Sequence, residues 1–171
     1  MTGIFGPKPT GYVAIPLLAG EQIVRQQPAS YLVNGKAMWG GQLVLTNQRL
    51  LFQPLDMGAV TKLISEGIDF LPDNLAILGK VVSKALDYTS TYQGKLTSAI
   101  NSSSIVGVVA GMNASLGHPP SLILTFDNGR RLELGILNSI KSPNFLPANN
   151  AARDAMVAAI RAQETVSTLN S

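Results

Sequence analysis

Lys36, Arg130 and Arg131 stand beside two turn signals, Asn34-Gly35 and Asp127-Asn128-Gly129. A cation at a hairpin tip has its head in water, where its chemistry is recognition. It offers N–H donors and positive charge to phosphate oxygens or to the anionic face of a bilayer. The same positions serve equally as solubilising turn residues, and magnitudes limit what they can do. One basic residue near an anionic membrane contributes about 1 kcal/mol, so these three give about 3 kcal/mol. That falls short of the ~4.1 kcal/mol of a millimolar complex. A shaped pocket, an apolar element or several copies acting together must add to the charge.

Reactive chemistry is poorly served. The chain has no cysteine and one histidine, which removes a thiol nucleophile, a disulfide scaffold and a conventional zinc site. His118 precedes Pro119-Pro120 and marks a turn. Ser102 to Ser104 lack the Gly-x-Ser-x-Gly elbow, and Gly94-Lys95 lacks the spaced glycine and the Lys-Ser/Thr pair of a phosphate loop. A non-enzyme without metal or cofactor is expected. Net charge is +3 over 171 residues, without the dense basic stripe of a nucleic-acid binder, so no nucleic-acid partner is expected. The opening residues read without a signal peptide and no apolar run is long enough for a bilayer, so the expectation is a cytoplasmic protein, peripheral if it meets a membrane.

The elements that hold these residues follow from periodicity. Residues 1–16, rich in Gly and Pro, read as an irregular arm ahead of one domain over 17–166. Glu21 to Val33 reads as a strand, with Pro28 placing it at an edge or a bulge. Asn34-Gly35 turns it into a second strand ending at Thr46, where Leu43 and Leu45 share one face. Thr46 to Arg49 reverses the chain again into "RLLFQPL". Arg49 is expected to be structural, pairing with a carboxylate such as Glu21 or bonding turn carbonyls. Strand character returns over 103–111, then in the hairpin 121–137, where Leu122, Leu124 and Phe126 answer Leu132, Leu134 and Ile136 across the turn. The Ala-rich stretch 150–165 closes the chain as an amphipathic helix, with Asn149 or Asn150 as its cap and Ala152, Met156, Ala159, Ile160 and Gln163 on one face.

Between these β segments the period changes. Spacings of three and four over 57–92 predict a two-helix insertion after the third strand, with stripes that include Leu63, Ile64, Ile68, Leu78 and Val82. These five form the candidate partner interface. Their destination is open among the protein's own sheet, a second copy and a lipid surface. Mixed charge along the helices argues against lipid, because membrane-surface helices carry a strongly basic polar face. The expected fold is mainly β with α: a partly open antiparallel barrel capped by the C-terminal helix.

"LLAGEQIVRQQPASYLV" followed by "GGQLVLTNQRLLFQPLD" resembles the opening of a GRAM domain, a member of the pleckstrin-homology-like superfold. Gly20, Glu21, Tyr31, Gly41, Leu43, Leu45, Thr46, Asn47, Arg49, Leu50 and Phe52 carry the pattern. "IVGVVAG", "LILTFDNGRRLELGI" and the last helix fit the remainder, so the likeness covers roughly 17–54 and 102–165. The helical insertion departs from the family, which has a short connection there. The resemblance implies a non-catalytic module that binds membrane lipid or phosphorylated headgroups at the barrel mouth, or docks on proteins. It also implies that Lys36, the insertion, and Arg130 with Arg131 lie at that mouth. The alternative is a protein-interaction or self-assembly module that uses the insertion, as a homo-oligomer or with another protein.

Overall fold

Strand-forming alternation appears in the structure at the expected places. The computed structural model describes residues 12–33, 36–56, 97, 100, 104–139 and 142–169. Six strands form: β1 (Ile23–Val33), β2 (Lys36–Thr46), β3 (Leu50–Pro54), β4 (Ile105–Ala110), β5 (Ser121–Phe126) and β6 (Arg131–Ile136). Helix α1 (Pro147–Leu169) follows. The strands make one antiparallel sheet in the order β3-β2-β1-β6-β5-β4. It is an open sheet: β3 and β4 are its edges and do not pair with each other among the described residues.

The period-2 pattern decides what goes inside. Leu43 and Leu45 of β2, Phe52 of β3, Leu122 and Leu124 of β5, and Leu134 and Ile136 of β6 meet in one cluster. Met156, Val157 and Ile160 of α1 cover it. Each such side chain contributes about 1.5–3 kcal/mol by leaving water. Val44 and Leu51, paired across β2 and β3, are also buried although they lie outside this cluster.

Two expectations need correction. Pro28 does not mark an edge, because β1 lies between β2 and β6. Its carbonyl accepts the Leu137 amide just beyond the β1–β6 register, which begins at Ala29 with Ile136. A proline lacks only a donor, so the end of a ladder tolerates it. A register shift against β2 between Ala29 and Ser30 supplies the anticipated bulge next door. The helix also starts earlier than expected, at Pro147. Proline suits a first helical position because its φ is preset and its absent N–H would have had no partner. Asn149 is therefore inside the first turn and is no cap. Its amide nitrogen donates to the carbonyls of Pro143 and Asn144, and its Oδ1 accepts from the Asn138 amide. Asn150 accepts from the Ala114 amide instead.

The two-helix insertion expected over 57–92, with Leu63, Ile64, Ile68, Leu78 and Val82, lies outside the described residues. Of the N-terminal arm, Tyr12 forms a bridge with Leu55, and the Val13 amide donates to the Pro54 carbonyl. The arm thereby covers the far end of edge strand β3, whose terminal Pro54 is itself a residue suited to an edge.

Candidate functional site

The pairing register sorts the loops onto two ends of the sheet. Val33 and Lys36 pair at the tip of the β1–β2 hairpin. Antiparallel pairing of Tyr31 with Leu134 and Ala29 with Ile136 sets the start of β6 beside the end of β1. The β5–β6 turn therefore lies at the same end as the β1–β2 turn. Lys36 opens β2 and Arg131 opens β6, with Arg130 in the turn, so the fold places all three basic positions at one end. Strand β3 also leaves toward that end, since Pro54 pairs with Gly41 while Leu50 pairs with Leu45.

The β5–β6 tip is built locally. Phe126 and Arg130 close a three-residue loop: the Phe126 amide donates to the Arg130 carbonyl, and the Gly129 amide donates back to Phe126. Gly129 has φ +81°, a backbone state that glycine takes without strain. The Arg130 amide donates to Asn128 Oδ1, and both Arg130 and Arg131 are exposed.

Helix α1 takes the opposite end. Its first turns meet the β4–β5 link: Arg153 Nη1 donates to the carbonyls of Met112 and Ser121 at 2.7 and 2.9 Å, and Nη2 to Asn113 Oδ1 at 2.7 Å. Its later turns reach the β2–β3 turn, where Gln163 Nε2 donates to the Asn47 carbonyl. Arg161 Nε donates to the Val108 carbonyl of edge strand β4. The helix thus spans the end that lacks the basic tips. Arg153 is 3% exposed, and sequence reading missed it, because an arginine next to Asp154 on a helix reads as surface.

The quartet Thr46-Asn47-Gln48-Arg49 is a fastener at this helix-covered end. Glu21 Oε1 and Oε2 accept from Arg49 Nε and Nη2 at 2.8 and 3.0 Å, the expected pairing. Thr46 Oγ1 donates to Glu21 Oε1 and accepts the amides of Gln48 and Arg49. Asn47 Nδ2 donates to the Gly20 carbonyl while its Oδ1 accepts the Gln22 amide. With Gln48 Nε2 donating to the Ala19 carbonyl, every polar member of the turn is tied to the segment that enters β1. Arg49 consequently faces away from the basic end and is no part of a headgroup site there.

Those bonds hold the Glu21 carboxyl at about 2, well below its ordinary 4.5, with the Arg49 guanidinium the largest cause and the Leu18 amide next. The unfolded chain protonates Glu21 near 4.5 while the folded chain keeps it ionised down to about 2. The fastener's pH-dependent stabilisation is therefore complete above about pH 4.5 and lost as pH falls through 2. Glu21→Gln is expected to flatten the fall of the urea midpoint across that window. A slope as steep as that of the unchanged protein would show that Glu21 is not the titrating group.

A cavity of about 390 Å³ lies where the two sheet edges approach. Leu45, Leu50 and Leu51 come from the β2–β3 side, Ser104 and Ile105 from the start of β4, and Ile160, Gln163 and Glu164 from α1. Ile100 and the turn residues Gln48 and Arg49 complete the lining. Burial pushes the Glu164 carboxyl up, against the pull of nearby Arg161. Local spacing did not reveal this cavity, because its walls come from parts of the chain far apart in sequence.

Among the described residues no three His, Asp or Glu side chains gather as metal ligands, and no helix is long and apolar enough to cross a membrane. Comparison with protein-family models, curated proteins and solved structures returned no match.

Proposed function

We propose that this chain is a non-catalytic binding module of the GRAM, pleckstrin-homology-like kind, its sheet curled into a partly open barrel, which recognises anionic lipid headgroups at the end bearing Lys36, Arg130 and Arg131. One observation carries the reading: α1 spans the opposite end, while both basic hairpin tips share the other. The quoted "LTNQRLLF" run adds the resemblance, and in this reading its Arg49 serves the fold. Fold alone assigns no ligand, so the chemistry of the tips must. The exposed guanidinium groups of Arg130 and Arg131 fit phosphate oxygens without burying an unpaired charge, and Lys36 would add an ammonium. The module is read as working at a membrane periphery.

Flotation of the full chain with vesicles of neutral lipid, with and without phosphatidylserine or a phosphoinositide, tests this. Recovery with the anionic vesicles at low salt is expected, falling as salt rises. Reversing all three charges (Lys36→Glu, Arg130→Glu, Arg131→Glu) should weaken recovery roughly a hundredfold, from about 1 kcal/mol per basic residue lost. Equal recovery of the reversed and unchanged proteins would overturn the headgroup reading. Binding indifferent to both salt and charge would point instead to the exposed apolar residues Val106, Val109, Met112 and Leu116, and to a protein or apolar contact made there.

A further inference from the structure

The cavity between the sheet edges shares no lining residue with Lys36, Arg130 and Arg131, although Ser104 at its rim accepts the Asp127 amide of the β5–β6 turn. Its volume of about 390 Å³ is within the range of roughly 300–1,000 Å³ common for ligand pockets. At about 30 Å³ for each water-sized group, it has room for roughly a dozen. Leu45, Leu50, Ile105 and Ile160 supply aliphatic wall, while Arg49 and Glu164 bring polar atoms to the same space.

The charges select the kind of head. Arg49, which lines the cavity, is paired through Nε and Nη2 with Glu21 and through Nη2 with the Pro16 carbonyl, which leaves Nη1 as the donor it could offer a ligand. An anionic head would meet a guanidinium that Glu21 has neutralised, and would have the Glu164 carboxyl as a neighbour. A cationic head would meet Arg49 itself. A neutral group that both accepts and donates a hydrogen bond suits Arg49 and Glu164 together, with its apolar chain along the aliphatic wall.

We propose that this inter-edge cavity binds a small neutral aliphatic molecule with a hydroxyl-type head, oriented by Arg49 and Glu164. Occupation would bridge β3 and β4, which do not pair with each other among the described residues, through the ligand. The site is independent of the reading of the basic end, and failure of either leaves the other standing.

The test uses the full chain, labelled with ¹⁵N, and three probes of equal length: 1-octanol, octanoate and octylammonium. Saturable shifts of the Leu51, Ile105 and Glu164 amides are expected with octanol, at a Kd at least tenfold below that of either charged probe. Ile105→Trp should fill the cavity and weaken octanol binding at least tenfold. Ser104→Trp, at an exposed rim position, should do the same if the first variant fails to fold. Shifts that rise linearly without saturation, or that appear equally at Leu116 and Val24, would overturn the proposal. So would tryptophan variants that bind octanol as the unchanged protein does, or tighter binding of a charged probe.

Discussion

Gly41→Ala is expected to lower folding stability by roughly 3 kcal/mol, by forcing atoms into a space already filled by backbone. A Cβ at Gly41 would lie 2.1 Å from the Gln53 carbonyl oxygen and 2.9 Å from both the Phe52 ring and Pro54 Cα. Gly41 pairs with Pro54 on one side and with Ala29 on the other, so β2 cannot shift away from β3 without pressing on β1. A flexible side chain could turn aside, but a carbonyl held in a ladder cannot. Gly107→Ala is the control: its added Cβ would find its nearest neighbour, Thr125 Cβ, at 3.9 Å. That change should alter stability by no more than about 0.5 kcal/mol. Urea midpoints of the two variants decide the matter. Equal midpoints would mean that the close approach of β2 to β3 is not as described.

Arg153→Met should cost about as much, for a different reason. The substitution keeps much of the apolar stem but removes the donors that the carbonyls of Met112 and Ser121 and the Asn113 side chain use. The Met112 and Ser121 carbonyls keep the Ser121 and Gly111 amides as donors, so the cost is that of the lost hydrogen bonds from a charged donor, roughly 3 kcal/mol in all. For a chain of this size that lowers Tm by roughly 10 °C. Arg153→Lys should not restore it, because one ammonium cannot reproduce two guanidinium nitrogens spread over three acceptors. Arg161→Met, at an exposed position, should cost less than about 1 kcal/mol. Faster amide exchange confined at first to α1 in Arg153→Met would show that the bond network fastens the helix across its end of the sheet. A Tm unchanged by the substitution would remove that role.

Both predictions rest on features with unequal traces in the residue order. Gly41 stands out as one of two adjacent glycines in an apolar strand, a recognised sign of close backbone approach. Glu21 and Arg49 were legible as a pair because a tight turn needs its polar atoms satisfied and a carboxylate stands at the start of the preceding strand. Arg153 left no such trace. Its neighbours on the helix are ordinary, and the groups that bury it arrive from residues 112–121. Pro28 misled for a related reason: proline reports a missing donor, and whether that places a strand at an edge depends on where each ladder ends.

By itself the residue order determined the strands, their turns and the inward faces. Leu43 with Leu45, Leu122 with Leu124, and Leu132 with Leu134 declare their side by a period of two, and Ala152, Met156 and Ile160 declare a helix face by spacings of four. These are local signals, set by backbone geometry within a few residues. Only the tertiary structure decided which ends share a face of the molecule. Pairing of β1 with β6 joins segments about a hundred residues apart, and that pairing gathers Lys36, Arg130 and Arg131 at one end while α1 covers the other. Contacts so distant in the chain are selected by fitting whole faces together in three dimensions. No spacing within either strand encodes its partner, which is why the basic end could be expected from a resemblance but the cavity between the edges could not.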